Sequence, residues 1–96
     1  MRTKLSIQQQ AFFEEVDRLL WEEWDPLGVN ESLEARDEYS SLVPLVFARA
    51  IEGQSEMAIS DFLSTMLREQ FELVPNQIQN VAIAKKVLSA KAANGL

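Results

Sequence analysis

The chain has 96 residues with no cysteine and no histidine, so disulfides, thiol nucleophiles and thiolate zinc sites are excluded, along with the commonest general base. Hydrophobic residues make up 47% and charged residues 25%, the balance of one globular domain spanning 1–96 rather than a disordered tail. Fifteen acids against nine basic residues give a net charge of −6, and no stretch supplies the basic footprint that nucleic acid requires.

At the N-terminus Arg2 and Lys4 are followed by Gln8, Gln9 and Gln10, where a secretion signal would carry its apolar core. No apolar run approaches the ~20 residues of a membrane helix, so the expected partners exclude membranes and the expected location is the cytoplasm. The first helix starts at Ser6, whose hydroxyl can cap it, with Gln9 three residues on to complete a capping box. Through Trp24 the apolar residues Phe12, Phe13, Val16, Leu19, Leu20 and Trp24 fall within an arc of about 140° at helical spacing, with Glu15, Arg18 and Glu22 opposite. Glu23 falls inside the stripe, but in the last turn, where it can reach solvent or a loop N–H. Trp21 falls outside the stripe, beside Glu14 and Asp17. It is either an exposed anchor for a partner or a side chain covered by the connector or the fourth helix. Pro26 and Gly28 end the helix.

Residues 25–38 form one long connector, with a single turn of helix expected near Ser32–Ala35 and with Val29 and Leu33 expected to tuck inward. Residues 14–38 carry ten acids against two arginines, a block that would attract a basic partner and speed its encounter. The second helix is expected from Ser40 or Ser41 to Glu52, with Leu42, Val43, Val46, Phe47, Ala50 and Ile51 on one side, Tyr39 joining them if it starts earlier. Pro44 is tolerated in a first turn, where its missing N–H has no intrahelical acceptor anyway, and Gly53 suits the position just past the end. Ser55 caps a third helix with Ile59, Phe62, Leu63, Met66, Leu67 and Phe71 on its apolar half, running up to Pro75. Asn76 caps a fourth, about Gln77 to Ala92, with Gly95 as its stop. Its stripe reads as Ile78, Val81, Ala82, Ala84 and Leu88, with Lys85 inside it and obliged to snorkel. No alternating run suggests a strand. The expected fold is all-α, a compact bundle of four amphipathic helices, or three plus a short extra turn.

Catalytic constellations are sparse. The adjacent pairs Glu14/Glu15, Glu22/Glu23 and Asp37/Glu38 diverge by about 100° on a helix rather than converging. A di-iron bundle needs Glu-x-x-His motifs, and a calcium loop from Asp25 fails at Leu27, Val29 and Arg36. Serine has no histidine to activate it and no Ser-x-x-Lys partner. The expectation is a non-enzyme without cofactor or metal; an active site of carboxylates alone would require a cleft holding two inward acids.

Trp24-Asp25-Pro26-Leu27-Gly28, followed by Arg36-Asp37-Glu38-Tyr39, resembles a family of small bacterial all-helical proteins of unknown function. That family carries a Trp-Asp-Pro-[Leu/Ile]-Gly turn and an Asp-Glu-Tyr lead into the second helix. The resemblance covers about 24–71, and this chain departs from it in its lysine- and alanine-rich last helix. It implies a compact helical fold and no particular chemistry. Physically, Asp25 can accept hydrogen bonds from loop N–H groups while Pro26 and Gly28 shape the turn.

These features together predict a small acidic binding protein, an immunity-type or antitoxin-like inhibitor that masks a basic protein such as a toxin nuclease. Its partner-binding residues would be Trp21, Glu22, Asp25, Glu31, Glu34, Asp37 and Glu38. The alternative is a structural or regulatory module, a homodimer burying Trp21, Leu45 and part of the fourth helix.

Overall fold

The computed structural model describes residues 4–96; Arg2, counted above in the basic N-terminus, lies outside them. Four α-helices, with no strand among the described residues, pack as an all-α bundle. Helix α1 spans Ile7–Arg18 and has the expected capping box, with Gln9 N–H on the Ser6 hydroxyl and the Gln9 side chain on Ser6 N–H. It does not continue as a regular helix to Trp24. Residues Leu19–Trp24 form a π-helical segment closed by a bond from Asp25 N–H to Leu20 O at 3.1 Å. The i→i+5 ladder winds the chain more loosely than the 3.6 residues per turn of an α-helix, so side chains past Arg18 depart from the expected wheel. Leu19, Leu20 and Trp24 are buried, as the apolar stripe predicts, and Trp21, outside that stripe, is buried with them.

The connector contains the expected turn, a 3₁₀ turn at Leu33–Ala35, and then runs through successive i→i+3 bonds from Glu38 to Ala35 and from Ser40 to Asp37. Helix α2, Val43–Ile51, therefore begins two or three residues later than the pattern suggests, with Pro44 in its first turn. Its predicted apolar side is the one that packs inward: Val43, Val46 and Ala50 are buried, and Phe47 and Ile51 lie against them. Gly53 closes α2 in a Schellman arrangement, donating to Ala50 O while Gln54 donates to Arg49 O, both at 3.0 Å. Its φ of +84° is the reason glycine suits the position.

Helix α3, Glu56–Glu69, is capped by Ser55 and stops short of Pro75. Glu72 turns the chain with φ +55°, and Leu73 N–H bonds to Leu67 O at 2.8 Å, so Phe71 leaves the helix yet still packs on the core. Helix α4, Gln77–Ala93, starts at the Asn76 cap and ends at Gly95 as expected. Its packing differs from expectation. The buried face is Asn80, Ile83, Ala84 and Val87, whereas Ile78, Ala82 and Lys85 are exposed. Polar Asn80 at 80 with apolar 83, 84 and 87 makes the i, i+3, i+4, i+7 row that faces α3, the helix with which α4 shares its largest interface. Lys85 does not need to snorkel.

The core gathers Phe12, Val16, Leu20 and Trp24 from the first helix and its π extension, Tyr39 and Leu42 ahead of α2, and Ile59 and Leu63 from α3. Each such side chain contributes about 1.5–3 kcal/mol of burial. At its centre Trp24, Tyr39 and Phe71 meet edge to face, with centroids 5.6–6.3 Å apart. No described helix is long and apolar enough to cross a membrane.

Candidate protein-binding surface

The turn at Trp24–Gly28 is held by its own side chains. Asp25 takes φ +29°, which no glycine relieves. Its carboxylate accepts from Val29 N–H at 2.9 Å, from Asn30 N–H at 3.1 Å and from the Tyr39 hydroxyl at 2.6 Å. The same hydroxyl accepts from Leu27 N–H at 3.0 Å, so one buried phenol joins the start of the connector to its end. Burial alone would raise the pKa of Asp25, but Tyr39 and the N–H groups of Val29, Asn30 and Gly28 outweigh it and hold the carboxyl below its ordinary value. Burial, reinforced by the bond to Asp25, pushes the Tyr39 phenol well above its own.

Two further groups fix the end of the π segment. Gln79 Nε2 donates to Trp24 O at 2.9 Å and Asn30 Nδ2 to Glu22 O at 3.2 Å, satisfying carbonyls that a helix end leaves open. The Trp24 indole donates to Asn80 Oδ1 at 2.8 Å, and Asn80 Nδ2 donates to the Ser64 hydroxyl at 3.0 Å. This buried chain of three residues ties the π segment to α4 and α3. A polar residue in the middle of an apolar row, and an indole that must find an acceptor when buried, were the available signals for it.

Trp21 is not an exposed anchor. It is 7% exposed, against Tyr39 at 6.2 Å and under the Arg36 guanidinium at 5.2 Å. Arg36 in turn reaches Asp17 through two bonds of 2.8 and 3.2 Å, stapling the connector over the indole. The connector is thus the element that covers Trp21, and the tryptophan is withdrawn both from a partner surface and from a dimer surface. Asp25 is likewise directed inward, its oxygens occupied by the turn. Glu22 is exposed but paired with Arg18 at 3.0 Å. Glu23, expected to meet solvent or a loop N–H, instead pairs with Lys86, a bond that lowers its pKa, and with Arg18 at 3.3 Å.

The other four predicted residues, all on the connector, lie on the surface. Glu31, Glu34, Asp37 and Glu38 are exposed, and none has a cationic partner among the described residues. Leu33 does not tuck inward: it is 84% exposed, between Glu31 and Glu34 in the chain, while Val29 alone of the pair packs on the core. At Leu33, in the 3₁₀ turn, apolarity does not mean burial, and no local pattern distinguishes it from Val29. No family model, curated protein or solved structure matches the chain.

Proposed function

We propose that this protein is a small acidic binding domain of the immunity or antitoxin type, which covers the working surface of a cationic protein such as a toxin nuclease. The observation that carries this reading is the connector: four exposed carboxylates with no cationic partner among the described residues, on the same stretch of chain as an outward Leu33, with a backbone anchored at Asp25–Tyr39 and Asp17–Arg36. Such a loop loses little conformational freedom on binding because it is already ordered. Its charges accelerate encounter with a basic surface, and burying Leu33 would add about 1.5–3 kcal/mol of apolar contact. Binding rather than catalysis is favoured because the surface grooves beside Ile7 and Ile78 contain between them a single acid, Glu14.

The test is capture at low salt by wild type and by a variant with Glu31, Glu34, Asp37 and Glu38 all changed to lysine. A basic protein should be retained by the wild type, associate at least about tenfold more slowly with the variant, and dissociate as salt is raised. Recovery of nothing basic, or equal association with a folded variant, refutes the reading.

A further inference from the structure

Helix α4 is apolar on two opposite faces. Its buried row is Asn80, Ile83, Ala84 and Val87. At 3.6 residues per turn, the row Ile78, Val81, Ala82 and Lys85 is centred about 160° away, pointing out of the bundle. That outward row nevertheless lines a shallow groove of about 380 Å³, with Ile78 85% exposed and Lys85 as its one charge. A surface helix ordinarily turns polar residues to water; here the outward row holds three apolar residues to one lysine, an apolar strip left without a partner in the bundle. The groove thus calls for an apolar knob accompanied by negative charge.

We infer that the knob is Leu33 of a second copy of this chain, so that copies associate head to tail, connector into α4 groove. Among the large hydrophobics exposed in the described residues, Leu33 is the one with a carboxylate within two residues on each side, Glu31 and Glu34. The chain's own connector does not serve, because Arg36 staples it to Asp17 on α1, and α4 turns Gln79 and Lys86, not the groove, toward the π segment. The net charge of −6 opposes self-association at long range, but at physiological salt that repulsion is screened beyond ~8 Å while groove contacts persist. A contact between two different surfaces leaves one of each free at the ends, so the assembly grows or closes into a ring. The inference rests on the connector being a docking surface, as in the reading above, and makes α4 of a second copy a competitor for it.

Sedimentation from about 10 μM to about 1 mM, the range of weak association, tests it with two surface variants whose folding is checked by circular dichroism. Leu33→Asp and Ile78→Asp should each weaken self-association at least about tenfold. Mixed in equal amounts they should form a one-to-one pair and stop there, since each supplies the surface the other lacks. Wild type that stays monomeric overturns the inference. So does a Leu33→Asp variant that associates normally, which would indicate symmetric α4 pairing, or an Ile78→Asp variant that does. Capture of a basic partner by Ile78→Asp, whose connector is intact, is a separate readout and reports the preceding reading alone.

Discussion

Tyr39→Phe removes a single oxygen from the centre of the connector's anchorage. The ring should stay, since it is 2% exposed and fixed by Trp24, Trp21 and Phe71 at 5.6, 6.2 and 5.9 Å. Two hydrogen bonds are lost: donation to the Asp25 carboxylate at 2.6 Å and acceptance from Leu27 N–H at 3.0 Å. A bond to a charged group contributes about 1.5–3 kcal/mol and a neutral one about 0.5–1.5 kcal/mol. Asp25 keeps its bonds from Val29 and Asn30, and the two lost bonds are only part-buried, which returns part of the loss. The expected destabilisation is therefore about 2 kcal/mol, a fall of about 10 °C in Tm for a domain of this length. Urea unfolding measures it, and hydrogen exchange should show the Leu27, Val29 and Asn30 amides gaining more in rate, through local opening, than the common increase that lower global stability gives the α3 and α4 amides. A double-mutant cycle with Asp25→Asn isolates the pair, with an expected coupling of about 1–2 kcal/mol. Destabilisation below about 0.5 kcal/mol, or connector amides that gain no more in rate than those of α3 and α4, would refute the assignment of Tyr39 as the connector's latch.

Ser60 is fully buried and its hydroxyl has no hydrogen-bond partner among the described residues, so Ser60→Ala should raise the urea midpoint by about 1 kcal/mol of stability. A fall instead would mean that the hydroxyl is bonded. Asn80→Ala strands the Trp24 indole and the Ser64 hydroxyl and leaves a void, with an expected loss of about 2–4 kcal/mol by denaturation; less than about 1 kcal/mol would refute the network. The pH dependence follows from the depressed carboxyls of Asp25 and Glu23. Their stabilisation is fully present above their unfolded values, 3.8 and 4.5, and is lost as pH falls through the lower folded ones. The protection of Val29 and Asn30 amides, taken relative to their intrinsic exchange rates, should therefore be flat from neutral pH down to about 4.5 and fall only below about 4, a step that Asp25→Asn abolishes. Loosening already at pH 6 would contradict it.

Helix ends were legible in the sequence because they are local. Ser6, Ser55 and Asn76 satisfy open N–H groups within three residues, Gly53 and Gly95 take positive φ just past a helix, and Pro26 breaks the chain where it stands. The inward side of α2 was equally plain, since its apolar and polar residues segregate. The candidate surface was half legible: Glu31, Glu34, Asp37 and Glu38 are exposed as charge demands, whereas Asp25 and Leu33 exchange the places that polarity assigned them, and Trp21, which helical spacing set outside the stripe, is buried under the connector.

That exchange was decided by contacts far apart in the chain. The π segment buries Trp21 by changing the winding after Arg18, and Arg36 from the connector seals it. Helix α4 carries apolar residues round nearly its whole circumference, so its own pattern does not distinguish the Asn80 row from the Ile78 row. Only the meeting of Asn80 with Trp24 and Ser64, 56 and 16 residues away, selects the inward one. Caps, breakers and periodicity are properties of a few consecutive residues and can be read along the chain; which face is buried depends on distant partners, and only the folded bundle supplies them.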